Sequence, residues 1–408
     1  MKTSPLAPAS FPALPPVVGV RLAAHACNIR YKDRPDVLLA EFAAGTQAAG
    51  VFTCSRVVAA PVEWCVQVLK KSTMRALVVN AGNANAFTGK EGMDSVKRIA
   101  KATSATLGCA QEQVCIASTG VIGEPLQDAK ITSNLPAMKA GLRADAWSDA
   151  ARAIMTTDTF MKVATKTARI GKTQVTINGI AKGSGMIAPD MATLLAFVFT
   201  DAAIPASVLR TLLREGNERS FNATTVDGDT STNDSLIAFA TGAAKHAAVK
   251  SAKDAHLKAF RAAFDAVLMD LALQVVRDGE GAQKLVAIDV RGAKSDKAAR
   301  TIAFTIANSP LVKTAIAGED ANWGRIVAAA GRSGEYLRQE KIKVLIGGTL
   351  VARDGARVKS YDEAPVAAHM KGQEIDIRVD LGVGSGKATV YTCDLTHGYI
   401  DINGSYRS

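Results

Sequence analysis

Apolar and polar positions follow two different rhythms along this chain. Short apolar runs bounded by turn residues predict buried strands, whereas apolar residues spaced three and four apart predict helices with one buried face. Strands are expected near 75–79, 114–117, 161–169, 173–178, 194–199, 284–290, 343–346, 374–379 and 388–392, and helices near 95–107, 147–155, 206–218, 254–276 and 322–330. Strands and helices alternate without a strict strand-helix-strand repeat. The pattern therefore predicts an α/β fold of layered, mixed sheets covered by helices.

Glycines punctuate this pattern at two places. Gly108 follows the 95–107 helix and predicts its end. Asn178-Gly179 lies between two apolar runs and predicts a tight hairpin turn, with a new strand beginning at Ile180. Repeats of 20–50 residues and linker-like breaks are not visible in the sequence, so its 408 residues are expected to form one large or two medium domains.

Composition narrows the class of protein. The chain is 48% hydrophobic and 21% charged, which is ordinary for a globular protein. Apolar runs stay below the ~18 residues that a membrane helix needs. Residues 1–21 carry five prolines and lack the pattern of a secretory signal, so we expect a loose N-terminal arm on a cytoplasmic protein without a membrane partner.

Charge and metal-binding residues exclude two further classes. The net charge is +11, but lysines and arginines are scattered and aromatics make up only 5%, which argues against nucleic-acid binding and suits the attraction of acidic small molecules. The cysteines show no CxxC spacing and form no ligand cluster with the five histidines. We therefore expect reduced, buried thiols and no metal.

Two glycine-rich segments resemble nucleotide-binding loops and fail the pattern. The segment 382–389 has Leu381 and Ala388 where a phosphate loop needs glycine and Ser or Thr, and a strand rather than a helix follows, so a glycine-rich hairpin is expected. Lys182-Gly183-Ser184-Gly185 lacks the third glycine of a dinucleotide fingerprint.

The same segment, 182–197, carries the strongest candidate chemistry. Its glycines permit unusual backbone shapes and Pro189 stiffens the approach to Thr193, which begins an apolar strand. A strained loop before a rigid strand can place the Thr193 hydroxyl against the preceding carbonyl, so that an N→O shift and hydrolysis cut the chain. The freed α-amine, with a reference pKa of about 7.7–8.0, can then act as base for its own hydroxyl. Thr193 in isolation would read as a structural strand residue.

Three other segments are ambiguous when taken alone. Ser118-Thr119-Gly120 follows a predicted strand and could supply an oxyanion hole from a hydroxyl and a backbone N–H, or could be a plain turn. The segment 156–159 suits capping or turn hydrogen bonds, and 277–282 suits a solvated turn after a helix.

Together with these segments, several motifs resemble the ornithine acetyltransferase family, the self-processing ArgJ enzymes of arginine biosynthesis. The motifs occur in family order over roughly residues 40–408. They are 80–86 with Thr88-Gly89, the Met-Ala-Thr loop at 191–193, 226–234, 318–325 and 403–408.

The resemblance implies the layered α/β sandwich of these enzymes and their DmpA-like aminopeptidase relatives. It implies self-cleavage between Ala192 and Thr193, giving an alpha chain of residues 1–192 and a beta chain of residues 193–408 that remain together as a heterotetramer. It also implies acetyl transfer from N-acetyl-L-ornithine to L-glutamate, with acetyl-CoA as a further donor in some members. The implied roles are nucleophile for Thr193, oxyanion hole for Thr119 and Gly120, and substrate binding for Thr159, Lys182, Thr193, Glu280, Asn403 and Ser408.

The segment 182–197 departs from the commoner family sequence at two positions. Asp190 and Leu194 stand where asparagine and methionine are usual. Leucine roughly conserves the volume of methionine, whereas Asp190 puts a carboxylate near the scissile bond and could alter the rate of cleavage. An N-terminal-threonine aminopeptidase or amidase that passes its acyl group to water is the competing hypothesis, and a non-catalytic binding protein is a third.

Overall fold

The computed structural model describes residues 2–188 and 194–404. Ala192, Thr193 and Ser408, which carry three of the sequence-based assignments, lie outside the described residues. The chain divides into two compact units. The larger unit contains Pro8–Asn222 and Asp229–Val275, and the smaller unit contains the segment up to Ala7, Ala223–Gly228 and the described chain from Val276 onward.

The strands of the larger unit form two mixed sheets. They are β1 (Val20–His25), β2 (Val37–Phe42), β3 (Gln47–Phe52), β4 (Ala76–Asn83), β5 (Val114–Val121), β6 (Lys162–Ile170), β7 (Thr173–Lys182), β8 (Leu195–Ala202) and β9 (Ser235–Ala244). One sheet has the order β1-β2-β4-β5 and the other β3-β9-β8-β7-β6. The pairs β4/β5 and β8/β9 are parallel, and the remaining pairs are antiparallel.

Helices accompany both sheets of the larger unit. They are α1 (Ala60–Val68), α2 (Gly89–Leu107), α3 (Asp128–Thr132), α4 (Leu135–Ala140), α5 (Trp147–Ala153), α6 (Ala206–Arg219) and α7 (Lys258–Arg277). Helix α2 ends at Gly108 in the left-handed conformation, which confirms the predicted stop. Helix α7 begins four residues later than predicted, because a short 3-10 turn at Ala255–Leu257 precedes it.

The two sheets of the larger unit share one apolar core. Phe42 on β2 stacks on Phe239 of β9 with ring centroids 4.4 Å apart, and Trp147 meets Phe199 of β8 edge-on at 5.3 Å. Along β8, Leu195, Phe197 and Phe199 point into this core at alternate positions. The predicted layered α/β arrangement of mixed sheets and helices is confirmed.

The hairpin predicted at Asn178-Gly179 is wrong, because both residues lie inside β7. The turn is at Gly171, whose φ is +61°. The Asn178 amide is buried and donates to the Pro15 carbonyl at 2.7 Å. At Gly179, an added Cβ would lie 2.6 Å from the Leu271 side chain of α7. This Asn-Gly pair therefore serves close packing of a helix on the sheet, which a local turn signal cannot distinguish.

The smaller unit contains a six-stranded sheet with its own core. Its described elements are β10 (Leu285–Ala293), α8 (Asp296–Ala307), α9 (Pro310–Ala317), α10 (Trp323–Gly331), β11 (Lys343–Ile346), β12 (Thr349–Arg353), β13 (Ala356–Arg357), α11 (Glu363–Met370), β14 (Glu374–Asp380), β15 (Gly386–Cys393) and α12 (His397–Asn403). The order is β13-β12-β11-β14-β10-β15. The hairpin predicted at 382–389 is wrong, since β14 and β15 flank β10 instead of pairing with each other.

The N-terminal segment is not the loose arm that its prolines predicted. Val17 is fully buried in the core of the larger unit, and Pro15 accepts the hydrogen bond from Asn178. In the smaller unit, the Ser4 hydroxyl donates to the Arg277 carbonyl at 2.7 Å. Across the described residues, the helices are too short or too polar to cross a membrane.

Candidate active site

The ends of the parallel strands β4 and β5 approach each other unusually closely. Gly120 has a φ of +133°, and a Cβ added there would lie 2.2 Å from the Gly82 carbonyl carbon and 2.5 Å from the Asn83 nitrogen. The pairing register shifts at Gly82 and Asn83, where a bulge accommodates this approach. Only glycine fits at position 120, and Ser118, Thr119 and Gly120 all lie within β5, so this segment belongs to a bulged strand and is not a plain turn.

Lys182 lies at the end of β7, and its side chain reaches Thr119 near the end of β5. Its Nζ donates to Thr119 Oγ1 at 3.2 Å, and both side chains are buried. Because the ammonium has only donors, the Thr119 oxygen must accept in this contact, and its own proton remains available to another acceptor. β7 pairs with β8 so that Lys182 stands opposite Leu195, two residues after Thr193. Thr119 and Lys182 are therefore brought together by sheet pairing.

Asp158 forms the centre of a buried charge cluster beside this contact. Its carboxylate accepts from Lys162 Nζ at 2.7 Å, from the Gly183 backbone N–H at 2.7 Å and from the Thr156 N–H at 2.9 Å. Burial opposes ionisation of Asp158, but the charges of Lys162 and Lys182 outweigh it and lower its pKa well below the ordinary value. Two buried lysines thus act on one buried aspartate, whose charged form they stabilise.

A second buried aspartate holds the start of β8. Asp234 Oδ1 accepts from the Leu194 backbone N–H at 2.8 Å, and the Asp234 carboxyl is completely buried. Burial raises the pKa of Asp234 well above its ordinary value, against the opposing effects of the Leu194 hydrogen bond and the Lys182 charge. The residue immediately after Thr193 is therefore fixed by a side chain as well as by strand pairing.

Asn233, the residue before Asp234, links the ends of β4 and β5. Its Nδ2 donates to the Ala84 carbonyl at 2.6 Å and to the Ser118 carbonyl at 2.9 Å, while its Oδ1 accepts from the Thr232 hydroxyl at 2.6 Å. All of these groups are buried. Asn233 therefore fixes the peptide group that leads into Thr119.

In the smaller unit, the turn after α7 carries Glu280. Asn403 Nδ2 donates to Glu280 Oε2 at 2.7 Å and to the Tyr399 carbonyl at 3.0 Å. Glu280 is buried, whereas Asn403 is exposed on α12. The Thr396 hydroxyl at the start of α12 donates to the Gly281 carbonyl at 2.7 Å. The geometry thus brings together the two residues of this unit that the resemblance singles out and that the structure describes.

The sequence-based assignments divide between the two units. Thr119, Gly120, Thr159 and Lys182 lie in the larger unit, and Thr159 directly follows Asp158 in the chain. Sequence reasoning missed Lys162, and it gave Asp158, Asn233 and Asp234 no chemical role. The latter three stand in segments that it noted, 156–159 and 226–234, but local patterns there indicated only capping or family likeness.

Cysteines and metal-binding geometry add little to the site. All six thiols are free, and four are buried as predicted, whereas Cys54 is exposed and Cys109 is half-buried. Among the described residues, no group of three or more His, Cys, Asp or Glu side chains is arranged to hold a metal ion.

Comparisons with known proteins give matches over nearly the whole length of this chain. A model of the ArgJ family matches residues 21–408. The arginine biosynthesis bifunctional protein ArgJ of Gluconobacter oxydans is 57% identical over 408 residues, covering 100% of this chain and 96% of the relative. The protein of the same name from Bradyrhizobium diazoefficiens is also 57% identical, with 99% of both chains covered.

A solved structure of the ArgJ protein from Bacillus halodurans is 39% identical and covers 52% of this chain and 98% of its own, with a TM-score of 0.49. The family model and the two curated relatives extend across both compact units. On these grounds the chain belongs to the ArgJ family.

Proposed function

We propose that this protein is a self-processed glutamate N-acetyltransferase, which moves acetyl from N-acetyl-L-ornithine to L-glutamate through an acetyl-Thr193 intermediate. The observation that carries the proposal is the buried contact between Lys182 Nζ and Thr119 Oγ1, beside a close approach of β4 and β5 that only glycine at position 120 allows. Such preorganised donors in a dry site are what stabilisation of an oxyanion requires. The names of the curated relatives support a place in arginine biosynthesis.

Maturation is the first step. Thr193 Oγ attacks the Ala192 carbonyl carbon, the C–N bond breaks, and the hydroxyl proton passes to the departing nitrogen, which becomes the Thr193 α-amine. Water then hydrolyses the resulting ester, leaving a carboxylate on Ala192 and a free hydroxyl on Thr193. No external cofactor is consumed.

Acetyl transfer reuses the same groups. The Thr193 α-amine accepts the hydroxyl proton as Oγ attacks the acetyl carbonyl of N-acetylornithine. The Thr119 hydroxyl and the Gly120 N–H donate to the developing oxyanion, which collapses as the ornithine amine leaves with the proton. The amine of glutamate then attacks acetyl-Thr193 and regenerates the enzyme, so that bond making and breaking balance over the two half-reactions.

The substrate-binding roles are assigned by matching charged residues to the charged ends of the substrate. Lys182 and Thr159 are assigned to the carboxylate end of the substrate, because an ammonium forms strong charge-assisted hydrogen bonds with a carboxylate. Glu280, Asn403 and Ser408 are assigned to ornithine, with the Glu280 carboxylate meeting its side-chain ammonium. These assignments rest on the family resemblance together with the Glu280–Asn403 hydrogen bond.

Three finer points belong to the same proposal. The relatives are called bifunctional, which supports acetyl-CoA as a second donor and N-acetylglutamate synthesis as a second activity. The alpha chain of residues 1–192 and the beta chain of residues 193–408 are proposed to remain together as a heterotetramer. The enzyme is placed in the cytoplasm, where it acts on small molecules without a bound cofactor.

Intact-mass measurement of the purified, denatured protein tests the proposal. Wild type should give two species that meet at Ala192/Thr193, whereas Thr193→Ala should give one inactive, full-length species. A full-length and fully active Thr193→Ala protein would contradict the mechanism. Comparing release of ornithine with and without glutamate tests the hydrolase hypothesis, since a hydrolase would release ornithine at the same rate in both cases.

A further inference from the structure

The segment that precedes β9 makes contacts that the proposed reaction has not yet used. Asn233 and Asp234 are consecutive, buried and directed to opposite partners within the larger unit. Asn233 Nδ2 holds the Ser118 carbonyl at 2.9 Å. Asp234 Oδ1 holds the Leu194 N–H at 2.8 Å. Each contact fixes a peptide group next to one of the two threonines that carry the proposed chemistry.

The backbone around this pair is itself anchored. The Asp234 carbonyl accepts from the Thr53 N–H at 3.1 Å, and the Ser235 N–H donates to the Leu194 carbonyl at 3.0 Å. Leu194 is therefore held by Asp234 through its N–H and by β9 through its carbonyl. A chain segment tied on both sides in this way transmits the position of one partner to the other.

We propose that Asn233 and Asp234 are positioning residues that set the distance between the nucleophile and the oxyanion hole. Asn233 fixes the peptide bond that enters Thr119, and Asp234 fixes the peptide bond that leaves Thr193. This inference rests on the proposed function. Attack requires reacting atoms about 3–3.5 Å apart, and a displacement of about 1 Å costs about 100-fold in rate.

The chemistry of Asp234 supports a role beyond folding. The Asp234 carboxyl is completely buried, and its Oδ2 makes no hydrogen bond of good geometry among the described residues, although the Ser231 hydroxyl lies close enough to act on its pKa. Burying an unsatisfied carboxyl oxygen is unfavourable for folding. A small apolar residue would avoid that cost, whereas it would release the Leu194 N–H. Local choices that oppose stability are expected where a functional geometry has to be held.

The chain offers matched controls in the same unit. Asp201 is also buried and accepts a backbone N–H, that of Thr176, at 2.8 Å. Asn178 is a buried amide that holds the Pro15 carbonyl at 2.7 Å. The hydrogen bonds of these two side chains go to Thr176, Thr165 and Pro15, and none of these residues belongs to the proposed site. Asp201→Ala and Asn178→Ala therefore remove comparable hydrogen bonds without disturbing the proposed distance between the nucleophile and the oxyanion hole.

The experiment follows self-cleavage by intact mass and acetyl transfer by steady-state kinetics in full-length protein. Asp234→Ala and Asn233→Ala are each expected to slow both processes by about 100-fold, with the loss in kcat. The KM for N-acetylornithine is expected to stay within about twofold, because neither residue is assigned to substrate binding. Asp201→Ala and Asn178→Ala are expected to mature and react like wild type after correction for the folded fraction.

Asp234→Asn provides the conservative rescue and guards against variants that fail to fold. It keeps an oxygen acceptor for the Leu194 N–H, so its cleavage should be at least about tenfold faster than that of Asp234→Ala. The inference is overturned if wild type cuts itself while the Asn233 and Asp234 variants match their controls, or if only KM changes. A wild type that remains intact and transfers no acetyl group overturns the proposed function as well.

Discussion

The polar cluster of the larger unit and the Glu280–Asn403 pair of the smaller unit differ in burial, and this difference suits them to different roles. In the first, Asp158, Lys162 and Lys182 are all buried and linked by hydrogen bonds to backbone and to Thr119. In the second, one member of the pair is buried and the other is exposed. Fixed charges in a dry setting suit the stabilisation of charge that develops during reaction, whereas a half-hydrated pair suits recognition of a charged substrate end.

The different strengths of polar interactions in buried and exposed settings explain this contrast between the cluster and the pair. Charge-charge interactions are several times stronger at a low effective dielectric than in water. Buried donors that are already oriented need no reorganisation when an oxyanion forms, which is the largest single contribution in many enzymes. An exposed amide such as that of Asn403 competes with water, so it contributes far less to binding. Variants in the cluster should therefore affect turnover, with an added loss of substrate binding at Lys182, and variants in the pair should affect binding.

The largest effect is expected for Gly120→Ala. The added Cβ would meet backbone atoms of Gly82 and Asn83 at 2.2–2.6 Å, and the φ of +133° is itself unfavourable for alanine. The ends of β4 and β5 must separate, which displaces both proposed oxyanion donors. We expect about a 1000-fold loss of kcat, comparable to removal of an oxyanion-hole donor. Steady-state kinetics of acetyl transfer and the rate of self-cleavage measure this loss.

Gly123→Ala is the matched control for this variant. Gly123 lies just after the end of β5 with a φ of +83°, and its added Cβ meets no described atom within 4 Å. It should cost about 1–2 kcal/mol of stability for the left-handed conformation and leave turnover near that of wild type. Equal losses of turnover in the two variants would show that the close approach of β4 and β5 has no special role.

The next effect separates the two lysines that face Asp158. Lys182→Met removes the donor to Thr119 and a charge from the cluster, and at least about a 100-fold loss of kcat/KM is expected, about 2.7 kcal/mol. Lys162→Met instead breaks the buried ion pair with Asp158 and should cost about 3–5 kcal/mol of stability. Kinetics and denaturant unfolding of both variants measure the two quantities.

The opposite assignment of effects would overturn this separation. If Lys162→Met were stable yet inactive, the lysine nearest Asp158 would be the one that serves turnover. Lys162→Arg does not serve as a control, because the guanidinium fork is not interchangeable with an ammonium in a buried site.

A smaller effect is expected in the smaller unit. Glu280→Gln removes the charge assigned to the ornithine ammonium and should raise the KM for N-acetylornithine roughly 10-fold to 100-fold, with little change in kcat. Asn403→Ala removes one hydrogen bond to Glu280 from an exposed position, and its KM should rise by less than about tenfold. An unchanged KM with a lower kcat in Glu280→Gln would move this carboxylate from binding to chemistry.

Much of the fold follows from periodicity. The predicted strand at 343–346 coincides with β11, and the helix predicted at 206–218 differs from α6 by one residue. The pattern failed where a residue serves a distant partner. Gly179 is required by the Leu271 side chain of α7, almost a hundred positions away in the chain, so its local signal indicated the wrong feature.

The candidate site also divides into residues with a local sequence signal and residues that depend on distant partners. Thr119 and Gly120 were assigned because glycine and hydroxyl residues after a strand are typical of backbone-built sites, and Lys182 was assigned through the family resemblance. The contact of Asp234 with Leu194 depends on the parallel pairing of β8 with β9, whereas the contact of Asn233 with Ser118 joins segments of two different sheets. Pairing of this kind is set by the packing of the whole unit. A single sequence does not encode it in any local pattern.

The last prediction contrasts Asp158 with Asp234, whose pKa values move in opposite directions beside the same lysine, Lys182. Despite its burial, Asp158 has a lowered pKa in the folded protein because Lys162 and Lys182 stabilise its charge. Its contribution to stability is therefore present above its unfolded pKa of about 3.9 and is lost as the pH falls further. Asp234 has a raised pKa because it is buried, so folding favours its protonated form. Its contribution is present at acid pH and is lost as the pH rises above about 3.9 toward its folded pKa.

Calorimetric melting of wild type, Asp158→Asn and Asp234→Asn between about pH 3 and pH 8 tests these signs. The Tm advantage of wild type over Asp158→Asn should shrink toward acid pH, whereas its advantage over Asp234→Asn should shrink as the pH rises. Shifts of a few degrees are expected, since about 1 kcal/mol corresponds to roughly 2–4 °C in a large domain. Parallel slopes would mean that the two carboxyl groups share one charge state. The neutral carboxyl that holds Leu194 would then be indistinguishable from the charged one that balances the lysines.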